Sequence, residues 1–269
     1  MCVVNKMPLI SVLMSVCNGE KHLARSVESM LNQTLDDFEL IICDDASTDG
    51  TLELLNRYKE MDPRVVVLHN EKNLGLGTSL NRCLYESKGE FIARMDDDDW
   101  AFENRFEKQV AFLREHEEYA FVGTNAIVFD GENDLRTMRK PEKPTLRQFV
   151  KGSPYLHPSI MFRRDAIFAV EGYSRKSYAL GRAQDYELFM RMAGAGFHGY
   201  NMQEPLMRYF YQQANTQKKR SFKTVKNEMK IRWHGYRQMK AKPWHYAFVF
   251  LPLYVYVKHE IIRRVRKNG

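Results

Sequence analysis

Apolar residues in the first hundred positions fall into short runs, each closed by a polar cluster and followed by a stretch of helical period. Leu9–Val16, bounded by Pro8 and Asn18-Gly19, predicts a buried strand. The stretch from about Glu20 to Leu31 places Leu23, Val27, Met30 and Leu31 on one face of a helix. Phe38–Cys43 predicts a second strand, ending in Asp44-Asp45, and Asp49 is suited to cap a helix over Thr51–Lys59. Val65–Leu68 predicts a third strand, Ser79–Ser87 a helix and Phe91–Met95 a fourth strand. Strands alternating with helices at this spacing predict an α/β fold, with a mostly parallel central sheet flanked by helices.

The middle of the chain is less regular. Asn104–His116 predicts an amphipathic helix, Phe121–Phe129 a strand and Ser159–Phe162 a strand just after His157-Pro158. Tyr186–Gly194 predicts a helix opening after Gln184-Asp185. No repeat or Gly/Ser linker separates this region from the first hundred residues, so it is expected to pack on the same sheet.

Residues 215–269 form a basic tail. In Ser221–Lys240, Phe222, Val225, Met229, Trp233 and Tyr236 recur at helical spacing among lysines and arginines. Trp244–Val257 is apolar and aromatic, interrupted by Pro252 and followed by Lys258 and Arg263-Arg264-Val265-Arg266-Lys267. Its 14 residues are short of the roughly 20 that span a bilayer. Attachment to an anionic membrane surface is expected; the alternative is a tail packed back onto the body.

Composition sharpens this picture. A chain of 269 residues, 44% hydrophobic and 28% charged, is globular and long enough for a substantial core. The net charge of +7 hides an asymmetry: residues 215–269 carry 15 Lys and Arg against Glu228 and Glu260, whereas residues 1–214 carry 26 basic and 32 acidic residues. An acidic body would repel nucleic acid, and the tail has no recognisable nucleic-acid module, so no nucleic-acid partner is expected. Cys2, Cys17, Cys43 and Cys83 lack metal-ligand spacing and read as reduced thiols. The N-terminus is too broken by Asn5, Lys6 and Pro8 to be a signal peptide. The expected location is cytoplasmic, peripheral on the inner face of the membrane.

The polar clusters carry the chemistry. In open α/β sheets ligands bind beyond the carboxyl ends of the strands, where Ser15 with Asn18, Asp44-Asp45 and Asp96-Asp97-Asp98-Asp99 all fall. Four adjacent carboxylates repel one another and call for a cation, and Mg²⁺ or Mn²⁺ prefers such oxygen ligands. Arg94 is placed to brace them. With a nucleoside diphosphate-sugar in the crevice, Asp96 and Asp98 can reach the substrate and its ion, and Asp45 a base or ribose edge. A general base is then required, for which Asp185 is the best candidate.

The stretches ISVLMSVCNGEKHLARSVESMLNQTLDDFELIICDDASTDGT, NLGLGTSLN, GEFIARMDDDDW and QDYELFMR, in that order over residues 8–210, closely resemble the family-2 glycosyltransferases of GT-A fold. The resemblance implies an inverting transferase using a nucleotide-sugar, with Mn²⁺ or Mg²⁺ and a glycan or lipid-linked acceptor in cell-envelope polysaccharide synthesis. It places Asp45 at the uracil-binding position and Asp185 at the catalytic base. Asp96-Asp97-Asp98 becomes the DxD-type motif, with Asp98 and Asp96 at the metal. Ser15, Asn18, Glu20, Asp45, Asp96 and Asp97 form the expected donor-binding set. Residues 1–100 would be the nucleotide-sugar half of a domain 1–214, and residues 101–214 its acceptor half. One departure is Cys17, where several relatives carry an aromatic residue that stacks on the base. The alternatives are a sugar-1-phosphate nucleotidyltransferase, against which the absence of a Gly-rich, Arg-containing loop after the first strand counts, and an inactive binding protein of the same fold.

Overall fold

The computed structural model describes residues 7–176, 179, 183–211 and 221–268, with side chains as far as Ile262. Cys2, Lys218 to Arg220, the junction at 214 and the side chains of Arg263 to Lys267 lie outside the described residues. Strands β1 (Ile10–Val16), β2 (Phe38–Asp44), β3 (Val65–His69) and β4 (Phe91–Arg94) are parallel, in the spatial order β3-β2-β1-β4. Between them run helices α1 (Leu23–Leu31), α2 (Thr51–Met61) and α3 (Leu76–Glu86). All seven residues of β1 and of β2 are buried. Their uninterrupted apolar runs follow from cover on both faces, since neither face meets water.

The two faces fill separate cores. Val12, Met14 and Leu40 pack with Val27 and Met30 of α1 and with Phe106 of α4 (Arg105–Glu115). Leu13, Ile41 and Ile92 face the other way, towards Leu80 of α3 and Leu188 of α7 (Gln184–Gly194).

Beyond β4 the sheet becomes mixed. The antiparallel β8 (Met161–Arg163) joins β4 to β6 (Phe121–Phe129), which pairs in parallel with β9 (Gly199–Phe210). The two-residue β5 (Trp100–Ala101) closes the order against β9, and β7 (Asp134–Met138) pairs the outer half of β6. The sheet curls until β5 meets α1: the Ala101 amide donates to Ser29 Oγ at 3.1 Å, and Gln33 Nε2 to the Phe102 carbonyl at 2.9 Å. Two short helices, α5 (Leu146–Lys151) and α6 (Arg164–Ala169), complete the body.

Several of these elements differ from the sequence expectation. Helix α3 begins at Leu76, ahead of the predicted Ser79, because Gly75 takes a φ of 83° and lets the chain turn into it. The predicted strand Ser159–Phe162 is a 3₁₀ turn over His157–Ser159 followed by β8. Asp49 sits just ahead of the N-cap position, which Gly50 fills, and accepts the Thr51 amide at 3.1 Å.

In the tail, Phe222–Gln238 is the expected helix, and it docks on α7. Val225, Ile231 and Tyr236 are buried, and a Cβ on Gly235 would lie 2.4 Å from Met190 Sδ. Arg232 donates to the Val150 carbonyl at 2.8 Å. A 3₁₀ segment, Pro243–Phe250, then leads into the helix Leu251–Asn268. Pro252 falls in its first turn, where a missing amide hydrogen costs nothing, so it does not interrupt the helix. No helix among the described residues is long and apolar enough to cross a membrane.

Candidate active site

The loops after β1, β2 and β3 converge because their strands are in register. The Asp45 amide donates to the Val16 carbonyl at 2.8 Å, and the Met95 amide to the Leu13 carbonyl at 3.2 Å. Asn18, at a φ of 56°, accepts the Thr48 amide on Oδ1 at 2.8 Å, and its own amide donates to Ser47 Oγ at 2.9 Å. Glu20 accepts the Gly50 amide at 3.0 Å. These two side chains therefore lace one loop to the next. Ser15 is buried at the end of β1, opposite Cys43.

Asp45 is only 2% exposed. Its Oδ1 accepts Asn70 Nδ2 at 2.7 Å and the Leu74 amide at 2.8 Å, while Oδ2 accepts the Gly75 amide at 2.8 Å. It thus fixes the loop that opens α3. A carboxylate offers about four acceptor sites, so these three bonds leave one. Beside it, Asn73 Nδ2 lies 3.2 Å from the exposed Cys17 sulfur. Asp44 meets His69 Nδ1 at 2.9 Å through Oδ2, and its Oδ1 has no partner among the described residues.

The four aspartates hang from α1. Ser26 Oγ donates to the Asp96 carbonyl at 2.7 Å, and Arg25 Nη2 to the Asp98 carbonyl at 3.1 Å. One carboxylate oxygen each from Asp96, Asp98 and Asp99 falls within a 4.8 Å cluster. Asp97 instead lies against Gly19, where a Cβ would come within 2.6 Å of its Oδ2. Asp99 is wholly buried; Oδ1 accepts the Phe210 amide at 2.7 Å and Oδ2 has no partner among the described residues.

Two buried arginines lie beneath. Arg94 pairs with Asp96 through Nη2, as expected of a brace, while its Nε and Nη1 find no partner among the described residues. Arg105 donates to the Arg94 carbonyl at 2.8 Å, and burial pulls its guanidinium down to about 9. The cations do not balance the acids. Burial first, then repulsion from neighbouring aspartates, pushes Asp97 up to about 7 and Asp98 up to about 6, and Asp99 well above the ordinary range. An unpaired buried oxygen in a cluster short of positive charge is the donor set that a hard divalent cation fits.

Asp185 sits in the first turn of α7, half-buried, and burial raises its carboxyl against the opposing effects of its backbone hydrogen bonds, Lys140 and Ser153. Neighbouring Gln184 accepts the Gly77 amide at 3.1 Å, which ties α7 to α3. Two tyrosines link Asp185 to the aspartate cluster. Burial raises Tyr209, and so do the charges of Asp99, Asp96, Asp98 and Asp185 together. Tyr173 is raised by burial and feels both Asp185 and Asp96. His157 lies 2.7 Å from the Tyr173 hydroxyl, and burial keeps its ring well below its usual range, so it acts as a neutral support. Asp185 and the aspartate cluster, far apart in sequence, are thus both near enough to these tyrosines for their charges to act on them. Asn18 and Glu20 brace the loops after β1 and β2.

Comparisons with known proteins agree with this architecture. The model of the family described as "Glycosyl transferase family 2" matches residues 11–171, from β1 to the end of α6. The chain belongs to the family-2 glycosyltransferases. EpsE of Bacillus subtilis is 39% identical over 251 residues, 93% of this chain and 89% of its own length. The amylovoran biosynthesis glycosyltransferase AmsE of Erwinia amylovora is 31% identical, over 83% of this chain and 84% of its own. Among solved structures, TarS 1–349 of S. aureus in complex with UDP-GlcNAc superposes with a TM-score of 0.69 at 19% identity, covering 86% of this chain and 70% of that one. The mannosyltransferase PcManGT of Pyrobaculum calidifontis, in complex with GDP-Man and Mn²⁺, gives 0.65 at 15% identity, covering 94% and 76%. The fold is GT-A and the protein is a glycosyltransferase.

Proposed function

We propose that this enzyme transfers a sugar, with inversion, from a UDP-sugar to a hydroxyl of a glycan or lipid-linked acceptor in the assembly of a cell-envelope polysaccharide. The observation that carries the reading is the cluster of Asp96, Asp98 and Asp99 beyond β4, with one buried Asp99 oxygen unpartnered among the described residues, in a chain of family 2. Among relatives, the biosynthetic name of AmsE supports the polysaccharide, and TarS with UDP-GlcNAc supports the uridine donor.

Asp45 receives the base, with Ser15, Asn18 and Glu20 shaping the loops around it. Asp96 and Asp97 contact the donor. Asp98 and Asp96, joined by the unpaired Oδ2 of Asp99, would hold Mg²⁺ or Mn²⁺; PcManGT supports this, being bound to Mn²⁺. When bound, such an ion supplies positive charge to the diphosphate. Asp185 takes the proton of the acceptor hydroxyl. The freed oxygen attacks the anomeric carbon from the face opposite the diphosphate, and the bond to the departing UDP breaks.

The tail adds a membrane surface to the reading, on the cytoplasmic side. Trp233, Trp244, Phe248, Phe250, Tyr254 and Val257 are all exposed, in a tail carrying 15 Lys and Arg. Aromatic side chains among cations suit the interface of an anionic bilayer. The test is the anomeric configuration of the product by proton NMR. An α-linked UDP-sugar should give a β-linked product, and an α-linked product would contradict the mechanism.

A further inference from the structure

Arg94 is 1% exposed at the end of β4, and its backbone is held on both sides. Its amide donates to the Ile160 carbonyl at 2.8 Å, and its carbonyl accepts Arg105 Nη2 at 2.8 Å. The side chain is less fully engaged. It meets Asp96 through Nη2, while Nε and Nη1 have no partner among the described residues. A guanidinium that orients a carboxylate typically does so as a two-pronged fork. Arg94 spends one prong.

The aspartates are placed by other groups. Ser26 and Arg25 of α1 hold the Asp96 and Asp98 carbonyls, and the Phe210 amide holds Oδ1 of Asp99. What Arg94 brings is charge. Arg105 gives its hydrogen bonds to uncharged partners: Gln109 Oε1 at 3.0 Å, Met95 Sδ at 3.4 Å and the Arg94 carbonyl. Arg25 likewise bonds a backbone carbonyl. Among the described residues, Arg94 is therefore the cation in ion pair with the cluster of Asp96, Asp98 and Asp99, whose ligand oxygens lie within 4.8 Å of one another. A divalent ion held there would share Asp96 with a fixed positive charge, in an interior where repulsion is poorly screened.

We propose that Arg94 sets the cation affinity of the acidic site. Its guanidinium, acting through Asp96, holds that affinity down, so that a divalent ion is bound firmly only together with a diphosphate, whose negative charge offsets Arg94. The proposal rests on the reading of the cluster as the metal site of a nucleotide-sugar enzyme.

The test is calorimetry of the full-length protein with Mn²⁺ alone, at one pH. Arg94→Met and Arg94→Gln should bind Mn²⁺ at least about tenfold more tightly than wild type, and Arg94→Lys within about threefold of it. A brace would give the opposite sign, since its loss would loosen Asp96. Unchanged or weaker binding in a folded neutral variant overturns the proposal. The wild type supplies a readout that needs no neutral variant: Mg²⁺ should shift the Arg94 Nε–H resonance along a saturating curve, with Arg94→Lys assigning the signal. A signal that stays still while Mg²⁺ binds also overturns the proposal. UDP should tighten wild-type Mn²⁺ binding at least about tenfold, and no tightening would contradict the link to the diphosphate. Asp98→Asn separates the two readings. If it binds Mn²⁺ as the wild type does, the cluster is not the metal site and the proposal falls with it. If it binds more weakly while the neutral Arg94 variants gain nothing, only the role given to Arg94 fails.

Discussion

The amide of Phe210 donates to Oδ1 of Asp99 at 2.7 Å, joining two residues 111 positions apart. This bond fixes one oxygen of the fourth aspartate at the end of β9 and leaves the other, buried and unpartnered, in the cluster with Asp96 and Asp98. Phe210 is itself seated against His22, Phe129 and the Arg25 guanidinium. The closing edge of the sheet and the acidic site are therefore one mechanical unit.

Asp99 accordingly has two separable roles. Asp99→Asn can keep an acceptor for the Phe210 amide while removing charge, so it should fold normally but bind Mn²⁺ at least about tenfold more weakly. Asp99→Ala should in addition lose about 1–3 kcal/mol of stability, since it strands a buried amide. Thermal melts and a Mn²⁺ titration separate the two effects.

Stability without divalent ions should fall as the solution becomes alkaline. Asp97 and Asp98 rise from 3.8 to about 7 and about 6 on folding. The folded state then binds more protons than the unfolded one between those values. Their contribution is full below about pH 4 and is lost as pH climbs through 6 and 7. Asp97→Asn should therefore be more stable than wild type at pH 8, by on the order of 1–3 kcal/mol, and equal to it at pH 4. Mn²⁺ should raise the wild-type melting temperature at pH 8.

Asp45→Ala removes the acceptor of three bonds that hold the loop from Asn70 to Gly75. Donor binding should weaken by at least about tenfold, roughly 1.4 kcal/mol, while α3 stays folded through its contact with α7. Calorimetric titration with UDP checks this, and hydrogen exchange at Leu74 and Gly75 should rise in parallel.

Tail attachment predicts a dependence on lipid charge. The protein should sediment with vesicles containing phosphatidylserine and not with neutral phosphatidylcholine vesicles. Replacing exposed Trp244 and Phe248 with alanine should weaken sedimentation without altering the melting temperature.

The first hundred residues were legible because buried parallel strands are uninterrupted apolar runs, and their polar ends mark the crevice. The second half was legible only in part: the stretches expected over Asn104–His116, Phe121–Phe129 and Tyr186–Gly194 are α4, β6 and α7, but the short and polar strands gave no pattern. Strand β5 has only two residues, and β7 is exposed and polar. In β9, Asn201, Gln203, Glu204 and Arg208 break any alternation, because the strand serves the Lys140 and Pro141 carbonyls and an ion pair with Asp134 as well as the core. The run of aspartates was plain in the sequence, but its division of labour was not. Asp99 stands outside the expected DxD-type motif until Phe210 is seen to occupy only one of its oxygens. Asn18 and Glu20 read as ligand contacts, and in the structure their side chains also tie one loop to the next. Tyr209 gave no local signal at all, since its place near Asp99 depends on the bond that the next residue, Phe210, makes.

The central claim is that the acidic cluster serves a nucleotide-sugar donor. It is tested most directly by UDP or GDP release from a panel of UDP- and GDP-sugars, with and without Mn²⁺, for wild type and Asp98→Asn. The expected result is Mn²⁺-dependent release of UDP from at least one UDP-sugar, lowered at least about a hundredfold in Asp98→Asn. Release that ignores Mn²⁺, or an Asp98→Asn protein that turns over donor as the wild type does, would contradict the account.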